Sequence, residues 1–141
     1  GWFSHRNRLA LDFKMKSGTK VYAARGGVVV RIRENGKKGG WHRKYRSEGN
    51  MVIIQHADGS RAGYWHLQFE GALVNVGDTV QQGQVIGLSG KTGYATAPHL
   101  HFLVWTNKNN SWQQVPTRFK TQKGIVYLRP WRKYRAVALG E

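Results

Sequence analysis

The sequence predicts an all-β domain built on an antiparallel sheet scaffold, with almost no helix. Three observations predict it. Eighteen glycines stand against three prolines, which implies many tight turns rather than extended linkers. Short stretches rich in β-branched and aromatic residues alternate apolar with polar positions, and no stretch shows helical periodicity. Glycine-bearing punctuation at Gly26-Gly27, Asp58-Gly59, Gly77-Asp78, Gly87 and Gly90 recurs at the spacing that strands and turns require.

Taken in chain order, Lys20 to Ala23, Val28 to Ile32 and Met51 to Gln55 read as strands. The polar, basic run from Lys37 to Gly49 reads as a long exposed loop. Ala57-Asp58-Gly59-Ser60, set between Val52-Ile53-Ile54 and Ala62-Gly63-Tyr64, reads as a hairpin, because Asp-Gly supplies the positive φ of a primed turn. Leu100 to Trp105 reads as another strand. A length of 141 residues fits one domain. Its core is expected over 1–106, with 107–141 as a basic extension packed on the same domain.

Composition narrows the chemistry. The chain has no cysteine, which excludes disulfides, thiolate zinc sites and cysteine nucleophiles. Twenty-three Lys and Arg against seven Asp and Glu give a net charge of +16, so an anionic partner is implied. No run approaches the roughly 18 apolar residues of a membrane span. A basic segment followed by an apolar one is also missing, so no secretion signal is expected within this chain.

His99-Leu100-His101 is the sharpest chemical feature. In a strand, residues i and i+2 share a face, so both imidazoles project together while Leu100 and Phe102 enter the core. Two surface histidines would be the plain explanation. A metal or proton-transfer site is the alternative, since imidazole is a common metal ligand and titrates near neutral pH.

The surroundings favour a site. Gly77-Asp78-Thr79-Val80-Gln81-Gln82-Gly83-Gln84 leads through Gly87-Leu88-Ser89-Gly90-Lys91-Thr92-Gly93 to Pro98-His99-Leu100-His101-Phe102. With Tyr64-Trp65-His66-Leu67, Leu11-Asp12-Phe13, Gly18 to Ala24, Gly27-Val28-Val29 and Gly49-Asn50, this ordered set resembles the lysostaphin/LytM-type zinc metallopeptidases, which cut peptide cross-bridges of bacterial peptidoglycan. The likeness covers about residues 5 to 105. The Gly-Asp-x-Val-x-x-Gly-Gln turn alone is weak, because lipoyl- and biotinyl-carrier domains use a similar one; the set ending in His-Leu-His is specific.

The resemblance implies a LytM-type, duplicated-hybrid-motif-like β scaffold with long loops walling a groove. It also implies a catalytic Zn2+ on three protein ligands with an open position for water, two of the ligands being Asp12 and His101. His66 and His99 match the two catalytic histidines that do not hold metal, which would position the water, move its proton and bind the oxyanion. Asp12 on a strand could be merely a solvent-exposed carboxylate, but Leu11 and Phe13 facing inward put it on the open face, and the ligand reading is favoured. Tyr64, two residues before His66, would share its face as an oxyanion donor or pack over the groove. Asn50 is a turn residue or a substrate contact.

One position departs from the pattern. The first ligand is usually a histidine four residues before the aspartate, where this chain has Arg8, and guanidinium cannot ligate. His5, seven residues before Asp12, is the favoured substitute; Asn7 offers a weaker oxygen, and the third reading is that no substitute exists. His42 and His56 are expected at the surface, and Trp41, Trp65, Trp105 and Trp112 either line a groove or pack.

The sequence thus points to a secreted or periplasmic zinc endopeptidase acting on peptidoglycan, its charge drawing it to anionic cell-wall polymers. The alternative is a degenerate LytM-type module that binds an envelope partner such as a cell-wall amidase. A nucleic-acid binder would use the basic loops and their aromatics but leaves His99-Leu100-His101 unexplained.

Overall fold

The computed structural model describes residues 9–129 and 132–135, and thirteen strands follow one another within them. They are β1 (Leu11–Lys14), β2 (Lys20–Tyr22), β3 (Gly27–Arg33), β4 (Gly39–Gly40), β5 (Asn50–Gln55), β6 (Arg61–Ala72), β7 (Thr79–Val80), β8 (Val85–Ser89), β9 (Gly93–Tyr94), β10 (His99–Lys108), β11 (Ser111–Val115), β12 (Arg118–Thr121) and β13 (Gly124–Tyr127). The main sheet is antiparallel in the order β1-β10-β6-β5-β3-β7, with β11 beside β10 and the β2–β8 pair joined through β6.

Hydrophobic patterning explains the layering. The run Met51-Val52-Ile53-Ile54 is apolar at every position, and β5 is accordingly buried on both faces. Val52, Ile54, Leu67, Ile86 and Val29 form the centre of the core, with Tyr64 stacked on Phe102 at 5.1 Å between ring centroids. In β10, Leu100 and Phe102 are buried and His99 and His101 take the other face, as alternation requires.

The hairpin between β5 and β6 forms, although not by a two-residue primed turn. The Gly59 N–H bonds the His56 carbonyl, and the ladder closes at His56 and Ser60. Gly59 takes φ of +85°, which makes a three-residue loop with a left-handed last residue. Asp58 accepts from the Ser60 N–H at 2.9 Å and locks the turn.

Four expectations change. The Lys37 to Gly49 stretch is not a plain loop, because Gly39-Gly40 pairs in parallel with β9 and Arg43–Glu48 forms a 3-10 turn capped by His42. His56 is buried rather than at the surface, with its Nδ1 at 2.8 Å from the Gly26 carbonyl. The division expected at residue 106 falls inside β10, which continues to Lys108 and carries β11 along its edge. Beyond it the β12–β13 hairpin packs Phe119 edge-on against Phe13 and Phe102.

The fourth concerns Tyr64, which does not reach a groove. It is 1% exposed, and its hydroxyl accepts the Ala24 N–H at 2.9 Å. Burial pushes the phenol up to about 12, so it is a neutral core residue. Its separation from His66 comes from a bulge in β6: Trp65 lies opposite Met51 and Leu67 opposite Asn50, which leaves His66 as the extra residue with φ of +67°.

Tyr64→Phe removes the acceptor of a part-buried N–H. Chemical denaturation should show a loss of about 1–3 kcal/mol, with catalysis unchanged; lost catalysis at unchanged stability would return Tyr64 to the site.

Candidate active site

Three neighbouring strands bring the site together. Asp12 on β1 is the cross-strand partner of His101 on β10, and His101 is in turn the partner of Trp65 on β6. Directly facing residues have neighbouring side chains, and here Asp12 Oδ1 lies 2.8 Å from His101 Nδ1. His99 Nε2 stands 3.8 Å from the same carboxylate oxygen. His66, one residue beyond Trp65, would point away in a regular strand; the bulge turns its ring to within 4.6 Å of the His99 ring and 5.8 Å of the His101 ring, centroid to centroid.

Backbone carbonyls set the tautomers of two histidines. A carbonyl only accepts, so His66 Nδ1, at 2.7 Å from the Thr92 oxygen, carries the proton. His99 Nδ1 donates in the same way to the Ala97 oxygen at 2.8 Å. In the neutral form of either ring, the tautomer this fixes leaves Nε2 as the proton acceptor. Burial, the largest cause, pushes His66 down to about 4, against a smaller upward pull from its bond to Thr92. His66 is thus neutral at neutral pH.

The Thr92 carbonyl is itself held. Thr92 Oγ1 donates to the Leu67 carbonyl at 2.6 Å and accepts the Asn50 N–H at 3.0 Å. Asn50 is fully buried, and its amide clasps the Gly36 N–H and carbonyl, both at 2.8 Å, and reaches the Gln68 carbonyl at 3.1 Å. A substrate contact is therefore closed to the Asn50 side chain, which braces the segment behind His66. Gly93, with φ of +84°, allows this close packing: a Cβ there would lie 2.7 Å from the Gly49 Cα.

Residues 6–113 match Peptidase family M23. This chain belongs to that family. The M23 chain is 38% identical over 119 residues to the glycyl-glycine endopeptidase ALE-1 of Staphylococcus capitis, covering 84% of this chain and 30% of ALE-1. It is 43% identical over 91 residues to the peptidoglycan DD-endopeptidase ShyA of Vibrio cholerae, covering 64% of this chain and 18% of ShyA. It therefore spans under a third of the length of either relative. Among solved structures, the catalytic domain of the antimicrobial peptidase lysostaphin from Staphylococcus simulans is similar with a TM-score of 0.57 and 38% identity, covering 76% of this chain and 74% of that one. The all-β antiparallel fold is that of these catalytic domains.

The M23 site offers a metal a carboxylate oxygen and an imidazole nitrogen that face each other, Asp12 Oδ1 and His101 Nδ1, which are donor types zinc takes. Among the described residues no group of three such side chains could hold a metal ion. The expected third donor, His5, lies outside the described residues, as do Asn7 and Arg8. Thr92 escaped the sequence reading; its only signal was its place in the glycine-rich lead-in to His99.

Two outcomes are expected. Thr92→Ala leaves the Asn50 N–H and the Leu67 carbonyl without their partner, so stability should fall by about 1–3 kcal/mol; nitrogen NMR should show the His66 Nδ1–H tautomer weakened, and Thr92→Ser should retain both properties. In chelator-treated protein, His66 titrates near 4 when folded and near 6.5 when unfolded, so the unfolded chain binds the extra proton between those values. Stability should drop by up to about 3 kcal/mol as pH falls through that window and level off below it. Denaturant titrations of His66→Gln should lack that component.

Proposed function

We propose that this domain is a zinc-dependent endopeptidase that hydrolyses the cross-bridges or stem peptides of bacterial peptidoglycan in the cell envelope, as a secreted or periplasmic protein. The observation that carries this reading is the meeting of the Asp12–His101 pair with two histidines whose Nδ1 atoms are held by backbone carbonyls, so that Nε2 of each ring faces away from its anchor. Relatives named for glycyl-glycine and peptidoglycan endopeptidase activity support the same substrate class. No helix among the described residues is long and apolar enough to cross a membrane.

Asp12 and His101 are the proposed metal ligands, with His5 as the third. Bound zinc would supply Lewis acidity and bring the pKa of a water towards 7. His66 Nε2 accepts a proton from the attacking water as its oxygen bonds to the peptide carbonyl carbon. Its neutral resting state suits a base. The C–N bond then breaks, and the proton passes from His66 to the departing amine nitrogen. His99, held by Ala97, turns its Nε2 towards the reacting atoms, where it orients the attacking water by accepting a hydrogen bond from it. The net charge of +16 would raise enzyme concentration near carboxylates and phosphates of the wall without choosing the bond cut.

Elemental analysis and product release from purified peptidoglycan test these roles together. Asp12→Ala, His101→Ala and His5→Ala should each lose zinc, whereas Arg8→Ala should keep it. His66→Ala and His99→Ala should keep zinc while kcat falls about 10²–10⁴-fold. Full activity in His66→Ala would sink the mechanism, and a wild-type protein without zinc would favour the non-catalytic module that binds an envelope amidase.

A further inference from the structure

The hydrolytic scheme leaves unused a surface beside the histidines. The segment from Thr92 to Ala97 borders the site, since its first carbonyl holds His66 and its last holds His99. Tyr94 lies between those two anchors, on β9, and β9 pairs with β4, which is followed directly by Trp41. The Trp41 ring sits 6.3 Å from the Tyr94 ring and is 69% exposed. The Arg46 guanidinium carbon lies 5.6 Å from the centroid of the same tyrosine ring. Tyr94 thus has an exposed indole and a guanidinium in cation–π reach, on the segment whose ends hold His66 and His99.

Among the described residues, the local charge is positive on balance. Arg43, Lys44 and Arg46 lie along the 3-10 turn, and Lys91 precedes Thr92. Glu48, at the end of that turn, spends one carboxylate oxygen on the Lys37 and Lys38 N–H groups at 2.9 and 3.4 Å. Among the described residues, Asp58 pairs with Arg25 and Asp12 lies against His99 and His101, and no carboxylate pairs with any of these four cations. A guanidinium held over an aromatic face by a cation–π contact does not spend its N–H fork on that ring, and the fork matches a carboxylate at two points.

We infer that Arg46, Tyr94 and Trp41 form a subsite for a free carboxylate of the peptide being cut, with the Trp41 ring covering the chain next to it. The inference rests on the endopeptidase reading and deepens it. A substrate carboxylate is favoured over a wall-polymer phosphate because the subsite is fastened to the two histidines through one six-residue segment. A group bound there belongs to the molecule whose bond lies at His66 and His99.

The test uses one cross-linked muropeptide dimer in two forms, with its carboxylates free and with all of them converted to carboxamides. Cleavage is followed chromatographically, and binding to the intact chain by calorimetry. Wild type should favour the free form about tenfold, through KM and Kd rather than kcat, as one charge-assisted contact warrants. Arg46→Gln should handle both forms alike, Arg46→Lys should recover part of the preference, and Trp41→Ala should weaken binding of both. Lys123→Gln, which removes one charge from the β12–β13 hairpin, should leave the preference intact. Equal handling of the two dimers by wild type, or an equal loss from Lys123→Gln, overturns the subsite. A protein that binds the free form tenfold more tightly yet cuts neither would keep the subsite and overturn the endopeptidase reading.

Discussion

The site depends on one extra residue in β6. Without the bulge, the residues after Trp65 would keep strict alternation, and His66 would fall on the face opposite His101. A left-handed φ at a histidine is costly unless its surroundings impose it. Here two things impose it: the bond from the ring to the Thr92 carbonyl, and the pairing that resumes at Leu67 with both Asn50 and Ser89. The local strain is offset by pairing on both sides, and the reward is a third imidazole at a place regular strands cannot supply.

Behind the bulge lies a polar core of unusual completeness. Asn50 has no exposed surface, yet both ends of its amide are bonded and its own N–H is taken by Thr92. A buried amide left partly unmade would destabilise the fold, whereas one fully made confers rigidity. This cluster joins Asn50 to Gly36, to the adjacent Leu67 and Gln68, and to Thr92, so four separate stretches of chain meet in it. The result is a stiff backing for a ring that must hold one orientation.

Much of this was legible beforehand, and the reasons for the rest are physical. Alternation disclosed β10 and the shared face of His99 and His101, because period-two patterning is a local property of a half-buried strand. The same rule misplaced Tyr64, because it assumes no inserted residue, and nothing in Tyr64-Trp65-His66-Leu67 marks one; glycine is the usual residue at positive φ, and histidine stands there instead. Asn50 read as a turn residue because asparagine is rarely buried whole. Its partners, 14, 18 and 42 residues away, are set by tertiary structure alone. Asp-Gly announced the hairpin correctly while its turn type followed from the closing bonds of His56 and Ser60.

The path from Thr92 to Ala97 has a consequence for how such a domain can diversify. Its two end carbonyls orient the histidines, and its middle presents a side chain to the surface. Grafting this stretch from a relative would exchange the outward residue and reset both ring orientations in a single event. Selectivity and turnover would then be inherited as one trait. Point changes at the tyrosine position, or in the partner loop that carries the tryptophan, escape that linkage, so they are the places where new preferences can arise while the chemistry stays in register.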